Sequence, residues 1–60
     1  MKIIRIREVL RIVKISRSRW YQFIRDGDAP KPVKIGNRVS FWIEEEVLAW
    51  LEQKAHERYH

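Results

Sequence analysis

The 60-residue sequence contains no cysteine, so neither a disulfide framework nor a zinc site built on thiolates can stabilise it. Long apolar runs are also missing, since none approaches the roughly 18 residues that a membrane span needs. Charged side chains interrupt the first ten residues, which is not the pattern of a signal peptide. We therefore expect a cytoplasmic protein that does not interact with a membrane.

Groups for metal binding and catalysis are equally scarce. Histidine occurs only at His56 and His60. Two ligands without a third are a weak basis for a metal site, so we predict neither a metal nor a cofactor. The glutamates at 44–46 have no nucleophile or base close to them in sequence. We predict that the chain is not an enzyme.

Apolar side chains make up 45% of the sequence, which is enough for one small core. A chain of this length buries only about 60% of the surface of its unfolded state, so we predict a single domain over residues 1–60. Aromatic side chains provide dense packing in place of disulfides: Trp20, Tyr21, Phe23, Phe41, Trp42, Trp50 and Tyr59. For the three tryptophans, core packing is the predicted role rather than stacking on bases.

Charge is unevenly distributed along the chain. Thirteen basic and eight acidic residues give a net charge of +5, and the sequence pI is about 10.1. Residues 1–38 carry a net charge of +8, whereas residues 39–60 carry −3. A basic chain with its positive charge concentrated in one part is typical of nucleic-acid binding, although solubility charge is an alternative explanation.

The order of elements follows from periodicity and from residues that end helices. We predict a short strand over residues 3–6, helices over 7–13 and 17–25, strands over 33–35 and 38–42, and a last helix over 43–58. Ser16 is the predicted N-cap of the second helix, and Gly27 supplies the left-handed residue after its end. Gly36 and Asn37 predict a two-residue type II′ turn. The last helix has a predicted buried stripe: Val47, Trp50, Leu51 and Ala55.

The predicted fold class is mainly α with a small β-hairpin. Two short helices joined by a tight turn form a helix-turn-helix, and its second helix enters the DNA major groove. At 100° per residue, Trp20, Phe23 and Ile24 share the core side of this helix. The remaining positions lie opposite or on the flanks, and we predict that they bind DNA: Arg17, Ser18, Arg19, Tyr21, Gln22 and Arg25.

The hairpin after this helix carries positive charge at or beside its turn. Lys34, Asn37 and Arg38 are placed where a wing would touch the DNA backbone or the neighbouring minor groove. Arginine pairs with guanine and glutamine with adenine, whereas hydroxyl groups suit phosphate oxygens. These residue types predict sequence-selective binding of double-stranded DNA.

The segment from Ile4 to Leu51 resembles the AlpA family of phage and prophage regulators, which belongs to the MerR-like and excisionase-like winged helix-turn-helix group. The matching stretches are residues 5–10, 15–18, Tyr21, 24–27, 30–36, Arg38, Trp42 and 46–51. The Ser-Arg-Ser string at 16–18 and the Pro-Lys-Pro-Val-Lys-Ile-Gly string at 30–36 are its most specific parts. Lys14 and Ala29 stand where the family typically has glycine and phenylalanine.

This resemblance implies a transcriptional regulator or an excisionase (a recombination directionality factor). A single small module makes few base contacts, so we expect several copies to associate cooperatively on DNA, the acidic last helix of one copy meeting the basic body of the next. Two alternatives stay open. The acidic helix could dock an integrase or RNA polymerase, making the chain a protein adaptor, or the chain could bind single-stranded RNA.

Overall fold

The computed structural model describes residues 1–58, so Tyr59 and His60 lie outside the described range. The elements follow one another in the predicted order: β1 (Ile3–Ile4), α1 (Ile6–Val13), α2 (Arg17–Arg25), β2 (Val33–Ile35), β3 (Val39–Ile43) and α3 (Glu44–Glu57). Within residues 1–58, every helix is too short or too polar to span a bilayer.

Strand β1 has two residues rather than the predicted four, because α1 begins earlier than expected. Arg5 takes the extended N-cap conformation, with φ −99° and ψ 172°. Its backbone N–H donates to Glu8 Oε1 at 3.4 Å, a contact that satisfies a donor at the helix start. The helix therefore starts at Ile6, inside the segment predicted as strand.

The three strands form one antiparallel sheet in the order β1-β3-β2. Ile35 pairs with Val39, so the hairpin loop holds the three residues 36–38, and the predicted two-residue type II′ turn is wrong. Gly36 does take the left-handed conformation, with φ +66°. A two-residue turn would place Val33 opposite Ser40, whereas the observed register pairs Val33 with Phe41. Matching of apolar side chains across the strands thus decides the register.

Tryptophan rings form the centre of the core. Trp20 and Trp42 are 0% and 1% exposed, and their ring centroids lie 6.2 Å apart in an edge-to-face arrangement. Trp50 approaches Trp20 in the same way at 5.2 Å. The Trp42 indole N–H donates to the Pro30 carbonyl oxygen at 3.0 Å, which ties the Pro-Lys-Pro segment to β3. Core packing of all three tryptophans is confirmed.

Helix α3 buries a stripe that differs from the predicted one at its last position. Val47, Trp50 and Leu51 are buried or half-buried as predicted, but Ala55 is exposed and that prediction is wrong. Lys54 is half-buried instead, with Nζ 2.7 Å from an Asp28 carboxylate oxygen. This hydrogen bond raises the pKa of Lys54. On the helical wheel Lys54 lies about 20° from Val47 and Ala55 about 80°, so Lys54 is the side chain that reaches the core edge, where Asp28 pairs with it.

Helices α1 and α2 form a helix-turn-helix. Lys14 ends α1 in the left-handed conformation, with φ 57° and ψ 37°, and its N–H donates to the Leu10 carbonyl oxygen at 2.9 Å. Glycine adopts this conformation without steric strain, which explains why the AlpA family typically has glycine at the position of Lys14. Ser16 caps α2 as predicted, since its Oγ accepts from the Arg19 N–H at 3.1 Å. With the β2–β3 hairpin after α2, the winged helix-turn-helix is confirmed.

Candidate nucleic-acid interface

Helix α2 presents a polar face on the side away from the tryptophan core. Its bounds match the prediction because Ser16 caps its start and Gly27, with φ +79°, allows the chain to turn after its end. Five of the six predicted contact residues in this helix are exposed: Arg17, Ser18, Arg19, Gln22 and Arg25. Three of these five are arginines, so this face combines positive charge with amide and hydroxyl groups.

Tyr21 does not project away from the core as predicted. It is half-buried and packs against the core, with its ring centroid 6.3 Å from that of Trp42. On a helical wheel Tyr21 lies about 60° from Ile24, and Trp42 extends the core to that flank. The expectation that Tyr21 points outward is wrong, and the side chain instead lies on the border between core and surface.

A cleft separates α2 from the hairpin on the side where Tyr21 lies. Its volume is about 390 Å³ and its walls come from both elements: Tyr21, Ile24, Lys31, Pro32, Lys34 and Ser40. Lys34 pairs with Ser40 across the strands, so both side chains lie on the sheet face turned towards α2. The cleft therefore brings the wing lysine next to the predicted groove-binding helix.

Lys31 is a cleft residue that is not among the predicted contacts. It is exposed and stands between Pro30 and Pro32, in a segment that the Trp42 indole holds in place. Prolines on both sides restrict the backbone to extended conformations. The Pro-Lys-Pro string is the sequence signal for a lysine held in a fixed position beside α2.

The remaining predicted contacts lie at the edges of this surface. Asn37 and Arg38 are exposed in the hairpin loop, at the end of β3 opposite to α3. Arg19 lies on the flank of α2, where its guanidinium carbon is 5.5 Å from the centre of the Phe23 ring. This cation–π contact restrains the arginine without removing its charge from the surface.

Negative charge is placed at the other end of β3. Glu44 lies 3.5 Å from Lys2 Nζ, and backbone N–H groups of Glu45 itself and of Lys2 lower the pKa of Glu45. These carboxylates start α3, where the helix dipole favours them. Within residues 1–58, no three histidine or acidic side chains converge as metal ligands would. The carboxylates therefore lie at the end of β3 opposite to the hairpin loop. The surface formed by α2 and the hairpin offers cationic and hydrogen-bonding groups for an anionic polymer.

Comparisons with known proteins agree with this architecture. The family model described as prophage CP4-57 regulatory protein (AlpA) matches residues 2–55. The chain is similar to "Uncharacterized protein ORF88" of Enterobacteria phage P4, with 36% identity over 50 residues. That alignment covers 83% of this chain, which spans only 57% of the length of the phage protein. No solved structure matches the chain significantly.

The family match extends from β1 into the C-terminal half of α3 and so includes both helices of the helix-turn-helix and the wing. It therefore covers the whole surface described above, not one motif of it. The chain belongs to the AlpA family of prophage regulatory proteins.

Proposed function

We propose that this chain binds double-stranded DNA selectively, with α2 in the major groove and the hairpin against the backbone. The observation that carries the proposal is the exposed arginines of α2 together with Lys31 and Lys34, which line the cleft between α2 and the hairpin. A single helix fits the roughly 12 Å width of the major groove. Positive side chains on both the helix and the wing then meet phosphates on either side of that groove.

The exposed residues divide into two groups by chemistry. Arg17, Gln22 and Arg25 are the proposed contacts to base edges, because arginine and glutamine form paired hydrogen bonds with guanine and adenine. The others are proposed contacts to phosphates or to the neighbouring minor groove: Ser18, Arg19, Tyr21, Lys31, Lys34, Asn37 and Arg38. Tyr21 makes such a contact from the border between core and surface, where it lines the cleft together with Lys34.

Alanine at Arg17 or Arg25 is expected to weaken binding to the preferred duplex by about 1–3 kcal/mol, while binding to a scrambled duplex changes little. Arg38→Ala is expected to weaken binding to both duplexes alike, because a phosphate contact carries no sequence information. Mobility-shift titrations with a site selected from random duplexes measure both effects.

Arg58→Ala is the matched control, since it removes the same charge from the exposed C-terminal end of α3. We expect it to leave affinity for both duplexes unchanged. Equal affinities for all four variants and the unmodified chain would contradict the proposal. Tighter binding to single-stranded RNA than to the duplex would favour the RNA-binding alternative instead.

We further propose that the bound chain acts as a transcriptional regulator or as an excisionase. Both roles use the same DNA surface and differ in the protein that is engaged, RNA polymerase in the first and an integrase in the second. Helix α3 is the proposed contact, because it exposes several carboxylates around Leu48, which is itself 45% exposed. The same helix is the proposed contact between copies on adjacent DNA sites.

The variant Glu52→Lys tests this role of α3. Glu52 is exposed and lies outside the proposed DNA contacts, so affinity for a single site is expected to remain within a few-fold. If α3 contacts the next copy, cooperative binding to two adjacent sites is lost. Retained cooperativity would contradict this contact, and loss of regulation in cells would then favour docking of another protein.

A further inference from the structure

Lys54 is a cation that the proposed DNA surface does not use. It lies in the last turn of α3, and two carboxylates bind its ammonium group, Asp28 at 2.7 Å and Glu57 at 3.4 Å. Together they more than neutralise its charge, so Lys54 attracts a phosphate only weakly. The contacts that it makes inside the fold are the more informative ones.

Those contacts converge on the C-terminal end of α2. The Lys54 ammonium nitrogen lies 5.9 Å from the centre of the Phe23 ring. Asp28 belongs to the same end, because its N–H donates to the Phe23 carbonyl oxygen at 2.9 Å and the Gly27 N–H donates to the Ile24 carbonyl oxygen at 3.0 Å. This pair of bonds is a Schellman motif, which fixes Asp28 to the last turn of α2. A group that binds the Asp28 carboxylate therefore holds the end of the helix.

The ion pair adds directionality to the packing of α2 against α3. Phe23 already packs on Trp50, with ring centroids 5.3 Å apart. Hydrophobic burial is non-directional, whereas a short charge-assisted hydrogen bond favours one relative position of its two partners. The bond between Lys54 and Asp28 thus selects one position of the helix end among those that ring packing allows.

We propose that Lys54 is a positioning residue for DNA recognition, holding the C-terminal end of α2 so that Gln22 and Arg25 reach base edges. The inference rests on the proposed function, in which these two residues contact bases. The N-terminal end of α2 is held independently, since Ser16 Oγ accepts from the Arg19 N–H at 3.1 Å. Lys54 therefore acts on one end of the recognition helix and not on the other.

Lys54→Met is the test variant, because it removes the ammonium group and keeps an apolar chain beside the Phe23 and Trp50 rings. The side chains of Lys54 and Asp28 are 30% and 38% exposed, and ion pairs with this exposure add little to stability. We expect the variant to fold, which circular dichroism checks. Lys2→Met is the matched control, since it removes a cation that pairs with Glu44 at the start of α3.

Fluorescence anisotropy with the preferred and the scrambled duplex measures the effect. We expect Lys54→Met to lower the ratio of the two affinities about fivefold, the lower end of what loss of one base contact costs. Lys2→Met is expected to keep the ratio. An unchanged ratio in Lys54→Met overturns the proposal. A dependence on salt that is less steep by about 1 than in Lys2→Met also overturns it, because Lys54 would then be a phosphate contact.

Asp28→Asn removes the other half of the ion pair. It is expected to lower the ratio as Lys54→Met does, and the double variant is expected to lower it no further than either single one. The two substitutions change the net charge in opposite directions, so a shared loss does not arise from long-range attraction to DNA. Full additivity of the two would show that the ion pair is not the cause and would overturn the proposal.

Double-mutant cycles with the proposed base contacts locate the effect. Lys54→Met is expected to lower the ratio less in an Arg25→Ala chain than in the unmodified chain, and by the full amount in an Arg17→Ala chain. Equal coupling to both arginines overturns the positioning role. If neither arginine variant changes the ratio, the proposed function fails and this inference fails with it. If both arginine variants act and Lys54→Met does not, this inference alone fails.

Discussion

The Trp20→Ala chain is expected to lose about 3–5 kcal/mol of unfolding free energy, as is usual when a large buried aromatic is truncated. A single core in a domain of fewer than about 70 residues rarely supplies more than 3–5 kcal/mol in total. The variant is therefore expected to be largely unfolded at 25 °C. Truncation of Trp20 is expected to cost this much stability because Trp20 is fully buried and contacts the rings of Trp42 in β3 and Trp50 in α3.

Urea denaturation followed by far-ultraviolet circular dichroism measures this loss. Trp20→Phe is the informative control, because the Trp20 indole N–H is buried and has no acceptor within residues 1–58. Phenylalanine keeps most of the ring packing and removes that unpaired donor, whose burial is unfavourable. We expect it to cost much less than alanine. A Trp20→Ala chain as stable as the unmodified protein would show that the three tryptophans are not the centre of the core.

The elements that could be predicted from sequence are those with local end signals. Helix α2 has its predicted bounds because Ser16 and Gly27 mark its ends within a few residues of chain. The hairpin loop could not be derived in this way. Gly36 and Asn37 favour a two-residue turn locally, but pairing of Val33 with Phe41 sets the register. A cross-strand contact outweighs a turn preference here.

Two side-chain positions differ from the prediction although the helical period holds. At 100° per residue Lys54 lies about 20° from Val47 and Ala55 about 80°, so the period favours Lys54. The prediction of Ala55 follows its apolar character, whereas Asp28 from a distant segment binds the Lys54 ammonium group at the core edge. Tyr21 lies on the flank of α2, about 60° from Ile24, and the Trp42 ring from β3 extends the core to that flank.

The candidate DNA surface likewise contains residues that the sequence predicts and residues that it does not predict. The polar residues of α2 follow from the helical period, since only the position of the core side is needed. The place of Lys31 does not follow from the helical period. Lys31 lines a cleft between α2 and the Pro-Lys-Pro segment, and the hydrogen bond from the Trp42 indole to the Pro30 carbonyl oxygen fixes the position of that segment. Sequence alone gives the residues on one element, and packing between elements adds the rest.

Salt is expected to weaken binding steeply if the surface contacts phosphates as proposed. Four exposed cations are assigned to phosphates and not to bases: Arg19, Lys31, Lys34 and Arg38. Each phosphate contact contributes about −0.9 to the slope of log affinity against log salt, so a slope near about −4 is expected. Raising the salt from about 50 to 200 mM then weakens binding on the order of a hundredfold.

Single variants separate this effect from base recognition. Lys34→Ala and Arg38→Ala are each expected to make the slope less steep by about 1, because each removes one phosphate contact. Gln22→Ala carries no charge change and is expected to lower affinity for the preferred duplex with the slope unchanged. Fluorescence anisotropy at several salt concentrations measures all of these slopes. A slope near zero for the unmodified chain would exclude docking of the wing and α2 on the phosphate backbone, whereas an unchanged slope in Lys34→Ala alone would remove only that residue from the interface.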